Sequence, residues 1–163
     1  MSDEQDRLAQ KALEAFFDSK EVEWRVGATS KDKTKAIALP YVSPKTVTRR
    51  LDAVLGANNW SFELRQADGG FIGRLSMTFP SGKVSVRENF GANSEREATG
   101  GGLAVGSAVK GGASDALKRA AVLAGIARYF DDMPVIWVPL KEGGKQFAET
   151  PKVPAQFQPP KSA

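Results

Sequence analysis

The chain has 163 residues, 41% of them hydrophobic and 26% charged, enough to bury one core and too few for two full-sized domains. It contains no cysteine and no histidine, which excludes disulfides, Cys/His zinc sites, thiol nucleophiles and any mechanism with imidazole as its base. The formal net charge of +4 and a sequence pI near 9.4 tilt the chain towards a polyanionic partner without deciding for one.

Residues 2–17 read as an amphipathic helix, because Leu8, Ala12, Leu13, Phe16 and Phe17 fall at helical spacing and Ser2 with Gln5 makes a capping box. The opening MSDEQDRLAQ is charged and acidic where a secretory signal would be basic and then apolar, and no window has the apolar length that crosses a bilayer. A cytoplasmic protein with no membrane partner is therefore expected. EVEWRV, residues 21–26, alternates charged and apolar positions as a half-buried strand does, and KAIALPYV continues extended after a polar loop, so the two predict a hairpin. Lys31, Lys33 and Lys35 in or beside that loop could touch an anion, but a solvated turn is the preferred reading.

Ser43-Pro44 starts the next helix, with Val47, Leu51, Val54 and Leu55 as its apolar face and Gly56 as its stop. Lys45, Arg49 and Arg50 then point away from the core. WSFELRQA, FIGRLSMTF and KVSVRENF follow as three strands joined by DGG and PSGK turns, the pattern of a meander. Seven glycines fall between Gly91 and Gly112. Locally this stretch reads as a flexible loop, or, over LAVGSAVK, as one or two helical turns weakened by glycine. It fits neither phosphate-binding pattern: Gly106 is followed by Ser107-Ala108 where a Walker loop needs Lys and Ser/Thr, and Val105 stands where a dinucleotide fingerprint needs glycine. Small residues that let backbones approach closely are the simpler reading.

A helix capped by Ser114 is expected over the alanine-rich run that follows. At about 100° per residue, Ala113, Ala116, Leu117, Ala120, Ala121, Ala124 and Ala127 form one stripe and Lys118 and Arg119 lie on the opposite side. From periodicity alone those two cations are an ordinary solvated face. VIWVPL adds a short strand, and from Lys141 a Gly-, Pro- and Gln-rich composition with almost no apolar periodicity predicts a disordered tail. Trp24, Trp60 and Trp137 could stack on nucleobases, but they sit in strand patterns where burial is the rule and are assigned to the core. The carboxylates a metal nuclease could use are Asp131-Asp132, Glu95 with Glu97 and scattered single acids, and no spacing distinguishes them from solvated surface.

SDALKRAAVLAGIARYF resembles the signature helix of the RAD fifty-two family of single-strand annealing and recombination-mediator proteins, in which an Asp, a Leu-Lys-Arg and a Gly recur in this order. LDAVLGANNWSFEL is similar to that family's helix end and Gly-x-x-x-Trp turn, and RENFGANSE to the end of its last sheet strand; the likeness covers roughly residues 20–130. It implies an α+β fold, a curved antiparallel sheet packed against a long helix, in protomers joined side by side into a homo-oligomeric ring. Single-stranded DNA would lie in a basic groove around that ring, with Lys118 and Arg119 on its backbone and Lys110 at a further basic position. A ring multiplies the few phosphate contacts of one subunit.

The expected organisation is an N-terminal helix over 1–19, the DNA-binding domain over 20–140 and the tail over 141–163. The implied work is protection of DNA 3′ ends and strand annealing in double-strand break repair, without catalysis, cofactor or metal, beside the nucleoid, with other repair proteins reached through the tail. Two departures stand out. A basic position of the family's earlier helix falls on Thr46, with Lys45, Arg49 and Arg50 as neighbouring substitutes, and Gly111-Gly112 interrupts the place where the family's helix continues. A metal-dependent nuclease acting on DNA ends and a structural ring that recruits repair proteins are the rival readings.

Overall fold

The computed structural model describes residues 2–93 and 102–161, with 102–108 as backbone only. Its described elements are the helices α1 (Ser2–Glu14), α2 (Pro44–Leu55) and α3 (Gly102–Leu123) and the strands β1 (Glu23–Thr29), β2 (Lys35–Tyr41), β3 (Trp60–Ala67), β4 (Gly70–Thr78), β5 (Val84–Ala92) and β6 (Trp137–Pro139). The mixed α+β class holds, but the antiparallel pairing is divided between two three-stranded sheets, β1-β2-β6 and β3-β4-β5, where one curved sheet was implied. The chain falls into two interleaved units, one of Met1–Glu14 with Ser43–Ile126 and the other of Ala15–Val42 with Ala127–Ala163. α1 therefore belongs with the meander and its helices.

The first unit is built on that meander. Ala67 pairs with Gly70, which leaves Asp68-Gly69 as a two-residue turn, and Gly69 supplies the positive φ of 75° that such a turn requires. Register places Phe62, Leu75 and Arg87 on one face and Glu63, Arg74 and Glu88 on the other. Leu75 and Met77 of the first face are fully buried, while the second carries exposed Val84, Val86 and Phe90. The alternation read from the sequence is thus the inside-outside alternation of the sheet.

α2 begins as expected: the Ser43 side chain accepts the Thr46 N–H at 3.2 Å, Pro44 occupies the first turn, and Val47, Leu51 and Leu55 are buried. Gly56, at φ 86°, closes it by donating its N–H to Asp52 O. α1 is three residues shorter than its pattern, so Phe17 lies beyond its end yet remains 1% exposed. The Asp6 carboxylate takes both the N–H of Ser81 (3.0 Å) and its hydroxyl (2.6 Å), tying α1 to the β4–β5 turn.

In the second unit β1 and β2 form the expected hairpin, with an irregularity between Val26 and Thr29, and β6 adds to the other side of β2. Ala36, Ala38 and Val138 are buried on one face. After the meander unit the chain makes a 3-10 turn, Arg128–Asp132. Tyr129 there is buried, and its hydroxyl accepts the Phe17 N–H at 3.1 Å. Around it gather Phe16 (centroids 4.7 Å), Phe130 (4.7 Å) and a stacked Phe157 (6.2 Å).

That last ring corrects the expectation of a structureless tail. Leu140 and Phe147 form a bridge, Pro151 and Val153 are buried, and Ala155–Phe157 is a 3-10 turn. Composition missed this because a few spaced apolar anchors, rather than any periodicity, hold the segment down.

Candidate nucleic-acid interface

The helix that carries the candidate cations starts at Gly102, not Ser114, and runs unbroken through Gly111-Gly112. Glycine propensity predicts a break, and packing overrides it. A Cβ on Gly91 of β5 would collide with the backbone at Ala116 and Gly112, and one on Gly112 with Asn93 Oδ1. Helix and sheet sit so close that only glycine fits, as the close-approach reading of the Gly-rich stretch expects. The helix ends at Leu123 rather than continuing to residue 130: Gly125 adopts φ 99°, and Ala127 the left-handed conformation at φ 61°. Its last carbonyls are met by side chains, Gln10 Nε2 on Ala124 O (3.0 Å) and Arg87 Nε on Leu123 O (3.3 Å).

Ala116, Leu117, Ala120, Ala121 and Ala124 are buried, so the stripe expected from the wheel faces inward. Lys110 and Arg119 are exposed and Lys118 is half-buried. Arg119 is held from one turn back, its Nε 2.7 Å from Asp115 Oδ2. The pair is exposed and adds little to stability, but it restricts the guanidinium to one side of the helix. Lys110 and Lys118 are eight residues apart on the same helix, about 12 Å along its axis.

On α2 the three cations part company. Lys45 and Arg49 are exposed. Arg50 does not point away from the core: its Nη1 donates to Ala12 O (3.2 Å) and Leu13 O (3.1 Å), capping the last turn of α1. Periodicity places Arg50 beside Leu51 but cannot say that a neighbouring helix ends there. Thr46 is spent on the cap, its N–H and hydroxyl both meeting Ser43 Oγ.

The tryptophans are less buried than assigned. Trp24 and Trp60 are half-buried, with Trp60 Nε1 donating to Asp52 Oδ1 at 2.8 Å, and Trp137 is 47% exposed. Lys35 Nζ lies 5.5 Å from the centre of the Trp137 ring, a cation-π arrangement. Sequence reasoning missed this pair, though the alternation of VIWVPL held a signal: with Val138 inward, Trp137 must face out. In the hairpin loop nearby, Asp32 accepts from the hydroxyls of Ser30 (2.6 Å) and Thr34 (2.8 Å). Those bonds, Ser30's foremost, hold its carboxyl down at about 2 from an ordinary 3.8.

Asp131 and Asp132 are exposed in the 3-10 turn, and Glu95 and Glu97 lie outside the described residues. Among the described residues no three His, Cys, Asp or Glu side chains are grouped as a metal ion would need, and no helix is long and apolar enough to cross a membrane.

Comparison with known proteins places the chain in a family. Residues 5–146 match the model of the Rad52/22 family double-strand break repair protein, a longer span than the motifs alone covered. The chain is 36% identical over 154 residues to the single-stranded DNA-binding protein DdrA of Deinococcus deserti, covering 92% of this chain and 70% of that one. To the protein of the same name from Deinococcus radiodurans it is 34% identical, with 92% and 67% covered. The chain belongs to the Rad52/22 family of double-strand break repair proteins.

Proposed function

We propose that this protein binds single-stranded DNA in double-strand break repair, as a homo-oligomeric ring that shields 3′ ends and presents strands for annealing. The observation that carries the reading is its likeness, across 92% of its length, to two relatives named single-stranded DNA-binding proteins. The cations of α3 and α2 support it chemically: Lys110, Lys118, Arg119, Lys45 and Arg49 are the groups assigned to phosphates, and Arg50 acts through α1. Few contacts per subunit give useful affinity only when many subunits repeat them. No bond is made or broken, so no catalytic residue, cofactor or metal is invoked. Cytoplasmic residence beside the nucleoid and recruitment of other repair proteins through the segment after Lys141 complete the proposal.

The test is a salt titration of binding to labelled single- and double-stranded DNA of equal length, alongside the mass of the particle. A large oligomer with a steeply salt-dependent preference for single strands is the expected result. Binding by a monomer without preference would overturn the reading; magnesium-dependent cleavage would favour a nuclease, and an oligomer that ignores nucleic acid a purely structural ring.

A further inference from the structure

A cleft of about 560 Å³ in the second unit differs in chemistry from the basic surfaces described above. Three aromatic rings line it, those of Trp24, Tyr41 and Phe147, all half-buried, and its volume is typical of ligand clefts. Its charged groups are Glu23, Glu149 and Lys141, two acids against one base in a chain whose net charge is +4. Both carboxylates are exposed, and among the described residues neither stands in an ion pair.

Backbone pairing sets both sides of the cleft. Glu23 opens β1, an edge strand, and lies opposite Tyr41 in the register with β2. Phe147 is fixed by its bridge to Leu140, and the next residue, Ala148, donates its N–H to Pro139 O at 2.8 Å. The returning chain then brings Glu149 and the buried Pro151 to the cleft. All of these residues belong to one unit, so the cleft is complete within it.

This combination is selective. Two carboxylates repel phosphate, which turns a nucleic-acid backbone away. The faces of aromatic rings attract cations, and a guanidinium also stacks flat on a ring and donates in a fork to a carboxylate. Aromatic-lined grooves receive polyproline II segments, which are extended before they dock and lose little conformational freedom on binding. Acids beside the rings then favour a proline-rich segment that carries a base over one that carries an acid.

We propose that this cleft docks a proline-rich segment of a partner protein, with one arginine side chain of that segment held between the rings and the carboxylates of Glu23 and Glu149. It rests on the recruitment reading above only for the source of the segment, and it uses none of the cations assigned to DNA. The probe is a fluorescein-labelled Ala-Pro-Pro-Arg-Pro-Pro-Ala peptide, titrated with the full chain and followed by polarisation. Binding is expected, and Glu23→Gln/Glu149→Gln should weaken it about tenfold, the loss of a charge-assisted hydrogen bond. Lys141→Gln should strengthen it about twofold by removing an exposed like charge. Glu63→Gln, at an exposed acid of the other sheet, should change nothing, and a peptide with glutamate in place of its arginine should not bind. In the amide spectrum of the wild-type protein, a readout that needs no variant to fold, shifts should gather on Glu23, Trp24 and residues 147–150.

Equal affinity for the two peptides, unchanged binding by Glu23→Gln/Glu149→Gln, or shifts confined to other elements would overturn the proposal. So would displacement of the peptide by an oligothymidylate, which would give the cleft to nucleic acid. Recruitment is judged separately, by the proteins that co-purify with the chain from cell extract. Partners retained equally by wild type and Glu23→Gln/Glu149→Gln would overturn the cleft and leave recruitment standing, whereas a wild type that retains none yet binds the peptide would take down recruitment and leave the chemistry of the cleft in place.

Discussion

Gly91 of β5 and Gly112 of α3 touch backbone to backbone, with no room for a methyl group on Gly91. A Cβ there would run into the Ala116 N–H and the Gly112 carbonyl, neither of which can swing aside as a side chain could. Gly91→Ala should therefore cost roughly 3 kcal/mol, from helix displacement. Gly82, with φ 86° but open space around it, is the control: Gly82→Ala should cost about 1 kcal/mol of backbone strain alone. Urea denaturation of the two variants checks this, and equal losses would mean that the contact is not tight.

Arg49 and Arg50 are neighbours with different work. Arg50→Ala removes the guanidinium from the Ala12 and Leu13 carbonyls, so stability should fall by about 2 kcal/mol. Arg49→Ala, from an exposed site, should leave the melting temperature unchanged and weaken DNA binding. Thermal melts and binding curves on both proteins separate the roles; the reverse pattern would exchange them.

Replacing Lys118 and Arg119 together should lower the slope of log affinity against log salt by about 1.4 for single strands, about 0.7 for each phosphate that is no longer neutralised. Particle mass is measured beside it, and the exposed Arg119–Asp115 ion pair adds little to stability. An unchanged slope would remove the pair from the DNA interface.

Acid should loosen the β1–β2 loop through Asp32. Its carboxyl is held at about 2 in the fold against an ordinary 3.8, so the carboxylate's contribution is complete above pH 3.8 and fades as pH falls towards 2. The melting temperatures of wild type and Asp32→Ala should differ by a constant amount at neutral pH and converge in that window. A gap that persists to pH 2 would show that charge is not what Asp32 supplies.

Phe157 closes the aromatic cluster on Tyr129, and Phe157→Ala should cost about 2 kcal/mol, the share of a half-buried ring. It should also make the segment after Lys141 an early target of limited proteolysis. Unaltered cleavage kinetics would show that the ring does not anchor the segment.

Elements governed by local rules were legible in the sequence. Ser43 and Gly56 bracket α2 by capping chemistry, and the meander follows from alternation with Asp68-Gly69 and Ser81-Gly82 at its turns. What failed depended on partners far along the chain. Gly111-Gly112 reads as a break until Gly91 is set against it, Arg50 as a surface cation until α1 ends beside it, and Phe157 as tail until Tyr129 is near. Lys118 and Arg119 stand out by adjacency, and their proposed role on DNA comes from the family likeness rather than from periodicity; Lys35 and Trp137, far apart in sequence, meet only through the pairing of β2 with β6.

That late pairing also has a bearing on how the molecule comes to be made. The β3–β4–β5 meander joins neighbours in the chain and can form as soon as it emerges in synthesis, whereas Lys35 must wait for Pro139 before its sheet is complete. Loop closure over so long an interval is slow compared with hairpin formation. During that interval β2 presents an open edge with a row of unsatisfied backbone groups. A nascent chain stalled before residue 137 would therefore be a candidate for strand exchange and aggregation, and the last quarter of the sequence acts as a built-in edge cover as well as a source of contacts.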